Sequence, residues 1–180
     1  MNYDLSKILE HTLVKENPSK AVTFVDNHDT QPGQSLQSFV ESWFKQTAYA
    51  IILLRNEGYP CVFYGDYFGI EHDKIPHVKY IKTIMELRKE KAYGMQHDYF
   101  DNANYIGWTL EGDEEHISSG LAVIATNRGY GEKRMYIGEK HAGEKFIDAL
   151  CNCQEEVVID EKGYGNFKVN EKSASIWVSS

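Results

Sequence analysis

Ala21-Val22-Thr23-Phe24-Val25-Asp26-Asn27-His28-Asp29-Thr30 is the stretch on which the reading of the fold turns. Its first five residues, β-branched or apolar without polar alternation, predict a short strand buried on both faces, as in a parallel sheet. Two carboxylates, an amide and an imidazole then arrive together where the strand opens into a loop. Barrel enzymes keep their catalytic groups at that place. Two generic readings stand beside this one. Asp-Asn-His-Asp after a strand also suits a polar turn leading into the next helix. Asp26, His28 and Asp29 are also metal-ligand types, although neighbours on an extended segment point to alternating sides.

Upstream, Leu5, Ile8, Leu9, Thr12 and Leu13 recur at helical spacing until Asn17-Pro18-Ser19, which predicts a helix ending near Lys15. Downstream, Leu36, Phe39, Val40, Trp43, Phe44, Thr47, Ile51 and Leu54 predict a long amphipathic helix from about Ser35 to Gly58. Cys61-Val62-Phe63-Tyr64 reads as a second buried strand running into Gly65-Asp66, and Pro76 as the start of another helix. Residues 5–93 therefore read α-β-α-β-α, the grammar of a (β/α) barrel or a doubly wound sheet. From Met95 the pattern changes to short strands: 105–110, 120–126, 133–137, 145–149, 156–159, 166–169 and 174–178. Turn residues separate most of them, which predicts an antiparallel β-sandwich. The expected class is α/β plus all-β, divided at residues 1–94 and 95–180. A closed barrel needs eight βα units and roughly 250 residues, so most of one is missing, and residue 1 is not expected to be the natural start.

The 180 residues carry 42% hydrophobic and 26% charged side chains, enough apolar surface for a sizeable core. A net charge of -8 argues against a phosphate-binding surface and hence against nucleic acid as a partner. No apolar run approaches the ~18 residues of a membrane span, so no membrane partner is expected. The first residues are acidic where a secretory leader would be basic and then apolar. Three cysteines, with Cys151 and Cys153 too close to bridge each other, suit a reducing compartment such as the cytoplasm over a secreted location.

Phe24-Val25-Asp26-Asn27-His28-Asp29-Thr30 resembles the motif on the seventh barrel strand of the alpha-amylase family of retaining glycoside hydrolases. Gln31-Pro32-Gly33-Gln34-Ser35-Leu36, Trp43-Phe44-Lys45, Gly58-Tyr59-Pro60-Cys61-Val62-Phe63-Tyr64-Gly65-Asp66 and His97-Asp98-Tyr99-Phe100 are similar in order and spacing to the liquefying bacterial branch of that family. Gly107-Trp108-Thr109, Ser119-Gly120-Leu121-Ala122 and Lys133-Arg134-Met135-Tyr136 extend the resemblance to nearly the whole chain.

The resemblance implies the last third of such an enzyme: helix six, strand and helix seven, strand and helix eight, then a C-terminal β-sandwich. It implies an endo-acting alpha-1,4-glucan hydrolase acting on starch, glycogen or maltodextrin. Asp29 would be the carboxylate that stabilises the oxocarbenium-like transition state, His28 would donate to the same sugar, and Asn27 would orient them. Asp26, one residue out of phase, is expected to bond to loop backbone. The nucleophile and general acid of retaining hydrolysis belong, in the family, to an Asp on strand four and a Glu on strand five, which this chain lacks. The chain alone is therefore expected to be inactive, with the N-terminal barrel portion as its missing partner. A calcium ion is implied at Ala103, Asn104 and Asn127, with calcium affinity depending on ligand charge. The alternative is a non-catalytic carbohydrate-binding or interaction module built on the sandwich, with Trp108 as its test. Isolated aromatics in strand patterns, Trp108 and Trp177 included, are more often core.

Overall fold

Strands, not helices, organise the chain. A computed structural model describes residues 3–180. In chain order the elements are α1 (Leu13–Glu16), β1 (Val22–Phe24), α2 (Ser42–Leu53), β2 (Tyr59–Cys61), α3 (Tyr64–Phe68) and α4 (Ile81–Lys91). There follow β3 (Gln96–Tyr99), β4 (Tyr105–Leu110), β5 (Leu121–Thr126), β6 (Gly131–Tyr136) and β7 (Lys145–Asp148), then β8 (Val157–Val158), β9 (Tyr164–Val169) and β10 (Ala174–Ser179). β1 and β2 pair in parallel, with Thr23 opposite Pro60. The remaining strands form an antiparallel six-stranded sheet in the order β3-β4-β5-β10-β7-β8, with β6 and β9 as a second antiparallel pair.

β5 explains the packing. Its sequence, Leu121-Ala122-Val123-Ile124-Ala125-Thr126, is buried at every position. Successive side chains point to opposite faces. Leu121 and Val123 therefore join Trp108, Leu54 and Ile84 in the core beneath α2 and α4, while Ala122 and Ile124 join Met135, Phe146, Phe167 and Trp177 between the two sheets. The first core contains Leu5 and Tyr49 as well as Ile106 and Ile176, so it draws on both halves of the chain. Trp108 donates its indole N–H to the Leu54 carbonyl at the end of α2 (2.8 Å), and the buried Arg55 beside it forms a two-pronged ion pair with Asp98 on β3.

Several expected elements differ. The helix expected over residues 5–15 is a 3₁₀ turn (Leu5–Lys7) followed by the single turn of α1, because His11 sits in the left-handed region (φ 58°), where a helix cannot continue. Thr12 restarts it as an N-cap, accepting from the Lys15 N–H. The long helix begins at Ser42 rather than Ser35 and ends at Leu53 rather than Gly58. Residues 34–41 are a loop, tied by Gln37 to the Gly33 N–H and by Asp26 to the Val40 N–H. The second strand lies at Tyr59–Cys61, and Tyr64 opens α3 instead of ending the strand. The helix expected from Pro76 starts at Ile81, after Tyr80 turns left-handed (φ 68°).

The largest correction concerns burial. Val22 is 61% and Phe24 51% exposed, so the strand expected to be covered on both faces is open to solvent here. The continuous apolar pattern says what a strand requires, and β1 lacks the neighbours that would supply it. In the sandwich the expected strands recur within two residues at each end, and β3, whose Gln-His-Asp-Tyr sequence carries no apolar alternation, is added at the sheet's edge. Among the described residues no helix is long and apolar enough to cross a membrane.

Candidate functional site

The loop after β1 abandons strand alternation, so that neighbouring side chains share a side. Asp26 turns inward and is almost wholly buried, while the His28 and Asp29 side chains are 84% and 58% exposed. Asn27 shapes the loop between them. Its side-chain oxygen accepts the N–H groups of Asp29 (2.9 Å) and Thr30 (3.0 Å), and the Thr30 hydroxyl accepts the Asn27 N–H (3.1 Å). This local side-chain turn fixes the backbone where the polar run leaves the strand. His28 Nε2 then stands 3.4 Å from an Asp29 carboxylate oxygen.

Below the loop lies an ionic cluster that sequence reasoning only half anticipated. Asp26 accepts the Val40 N–H at 3.0 Å, the backbone bond expected of it. Its other oxygen lies 2.6 Å from Lys45 Nζ, and Lys45 reaches Asp66 on α3 at 2.5 Å. Tyr49 donates its hydroxyl to the second Asp66 oxygen at 2.7 Å. All four side chains are buried. One cation between two carboxylates thus joins the loop after β1 and α3 to α2. Burial alone lowers the Lys45 pKa, yet its hydrogen bonds to Asp26 and Asp66 and their charges more than offset this and raise it. Burial, then the bond to Asp66, raises Tyr49. Lys45 and Tyr49 were not expected from the sequence; both are buried on α2 together with Thr47, Ala50 and Ile51.

His28 also lines an open cleft of about 1050 Å³, together with Gln31, Tyr64, Phe68, His72 and His77. Asp29 does not line it and reaches it only through His28. Gln31, Tyr64, His72 and His77 are additions to the site. The cleft has the mix of aromatic surface and polar hydrogen-bonding groups that suits a polyhydroxylated ligand. Trp108 and Trp177 are fully buried, with their indole N–H groups bound to the Leu54 and Lys168 carbonyls, so neither offers a face to a sugar.

Among the described residues no three His, Cys, Asp or Glu side chains gather to hold a metal. Asp26 turns toward Lys45 and away from His28 and Asp29, which removes the geometric basis for a metal site in the loop. At the expected calcium position, the Ala103 carbonyl accepts the Leu5 N–H (2.8 Å), and the Asn104 carbonyl accepts both the Asn127 N–H (3.0 Å) and the Thr126 hydroxyl (3.1 Å). Asn127 donates its side-chain amide to the Tyr3 carbonyl, leaving its own oxygen buried without a donor. That one neutral oxygen favours an ion. The set as a whole does not fit calcium, which takes six to eight oxygens and gains affinity from carboxylates.

Residues 121–178 match the family described as alpha-amylase C-terminal. An alpha-amylase of Geobacillus stearothermophilus is 52% identical over 98% of this chain and 32% of its own length, and one of Bacillus licheniformis 53% identical over 98% and 35%. A cytoplasmic alpha-amylase of Escherichia coli is 39% identical over 98% of this chain and 38% of its own. The chain spans about a third of the length of the curated relatives it matches. Its fold is shared with a gamma-CGTase of alkalophilic Bacillus clarkii over 92% of this chain (TM-score 0.60, 19% identity, 27% of that chain). It is shared also with CldA, a cyclomaltodextrin glucanotransferase of three-domain ABC distribution, over 99% (TM-score 0.67, 18% identity, 41% of that chain).

Proposed function

We propose that this chain, whose residues 121–178 match the alpha-amylase C-terminal family model and whose whole length is similar to the C-terminal third of liquefying-type alpha-amylases, is the C-terminal portion of an endo-acting, retaining alpha-1,4-glucan hydrolase. In this reading residues 1–94 are the last βα units of a (β/α)8 barrel and residues 95–180 its C-terminal β-sandwich. Asp29 steadies the flattening glucose ring in the transition state, His28 donates to the same sugar, and Asn27 holds both on a fixed turn. Bonds to sugar hydroxyls that tighten only as the ring flattens lower the barrier instead of merely improving binding.

The observation that carries the reading is the loop's division of labour: Asp26 anchored inside, His28 and Asp29 presented outside, and Asn27 bonded to the backbone between them. The exposed faces of Val22, Phe24 and Tyr59 support a missing N-terminal barrel portion as partner, because a two-stranded parallel sheet leaves apolar faces and unpaired edges that further strands and helices would cover. The retaining reaction also needs a nucleophile and a general acid some 5 to 5.5 Å apart. In this reading both come from that missing portion.

Reducing-end release from soluble starch tests the first part: the 180-residue chain should show none above buffer, and turnover would overturn the assignment of the missing carboxylates. Calorimetric titration with maltooligosaccharides tests the second. Binding is expected to be weak and to fall on Asp29→Ala or His28→Ala. Binding that both variants leave intact would remove the loop from the site.

A further inference from the structure

We infer that the junction between residues 3–5 and the sandwich is a cation-free latch, closed by direct hydrogen bonds through Asn127 and Ala103 where the family resemblance implies a calcium ion. Tyr3 and Leu5 meet the sheet at two points. The Leu5 N–H donates to the Ala103 carbonyl, and the Tyr3 carbonyl accepts from Asn127 Nδ2 at 2.5 Å. A carbonyl oxygen only accepts, so the partner atom of Asn127 must be its nitrogen; the flipped amide would set two oxygens against each other at that distance. An ion bridging these oxygens would need the Asn127 nitrogen to turn away.

Charge points the same way. The side chains at 104 and 127 are neutral amides. Of the nearby carboxylates, Asp4 caps its own 3₁₀ turn by accepting from the Ser6 N–H and hydroxyl, and Asp101 is paired with Lys133. The Asn104 carbonyl already accepts two donors. Among the described residues what is left is the buried Asn127 oxygen, which leaves a divalent cation without the charged cage that repays its dehydration. The Asn127 nitrogen does the cation's mechanical work: it draws a main-chain carbonyl onto the sheet and so seats Leu5, fully buried, in the core with Trp108.

Thermal unfolding of the 180-residue chain in excess EDTA and in millimolar calcium, with magnesium as control, tests this. The midpoint should agree between the conditions to about 1 °C, and Asn127→Leu, which keeps the volume and removes the donor, should lower it by about 2–4 °C equally in each. A calcium-specific rise that disappears in Asn127→Leu overturns the inference. So does an Asn127→Leu midpoint unchanged in EDTA. A rise that persists in Asn127→Leu places the ion elsewhere and leaves the latch cation-free, as inferred. Should the variant fail to fold, the unaltered chain decides by NMR. Saturable, calcium-specific shifts of the Leu5, Ala103 and Asn127 amides overturn the latch, and their absence supports it. The readout is independent of glucan hydrolysis, so this test and the proposed function stand or fall separately.

Discussion

Lys45 carries more of the structure than its residue type suggests. It is a nearly buried cation with Asp26 and Asp66 within 2.6 Å and 2.5 Å, and Tyr49 completes the Asp66 carboxylate. Removing the cation strands two buried carboxylates, so Lys45→Met should cost about 3–5 kcal/mol. Urea melts check this, and the triple variant Lys45→Met, Asp26→Asn, Asp66→Asn should recover part of the loss because no charge is then left unpaired. The pH dependence follows in sign. Lys45 and Tyr49 are both raised above their ordinary values of 10.5 and 10.0. The unfolded chain therefore gives up these protons first as pH rises, so their contribution is complete below about pH 10 and drains away above it. The thermal midpoint should fall from about pH 10 upward, and less steeply in Tyr49→Phe. The sequence made Asp26 legible as a structural residue bonded to loop backbone, and its bond from the Val40 N–H is of that kind; it did not make legible that His28, two residues on, faces outward with Asp29. It did not make Lys45 legible, because lysine is a surface residue by default and only three-dimensional proximity reveals two carboxylates waiting for it.

At the scale of elements, local pattern and local stereochemistry competed. β4, β5 and β10 were legible because alternation and continuous burial in strands need only the sheet they form together. The first helix was not, since a left-handed His11 interrupts a pattern that is otherwise helical in spacing. Backbone hand matters again where α4 hands over to the sheet. Gly94 has φ 86°, and a Cβ there would lie 2.2 Å from the Gly112 carbonyl oxygen. Gly94→Ala should then destabilise by more than about 1 kcal/mol, since it combines a disfavoured hand with a backbone clash. Gly129→Ala is the matched control. A Cβ at 129 meets nothing within 4 Å and its φ is not left-handed, so the substitution should be neutral or slightly stabilising. Chemical denaturation of the pair separates the stereochemical effect from the general effect of adding a methyl group.

For the molecule as a whole, the informative contrast is between two phenylalanines. Phe146 is fully buried between the sheets, and Phe24 is 51% exposed on β1 although its strand reads as a core strand. Apolar pattern alone predicts burial for both strands, but β1 pairs only with β2 and stays exposed, whereas β5 is paired on both sides and buried at every position. The two sites should respond accordingly. Phe146→Ala should cost about 3–5 kcal/mol by opening a cavity in a closed core, whereas Phe24→Ser should move stability by no more than about 0.5 kcal/mol, both measured by chemical denaturation of the 180-residue chain. In a polypeptide that supplies the proposed preceding barrel strands, Phe24 would be covered, and the same Phe24→Ser substitution should cost about 1.5–3 kcal/mol. A Phe24→Ser penalty already of that size in the 180-residue chain would mean that β1 is satisfied by contacts within it, and the case for a barrel portion packing on this face would fail.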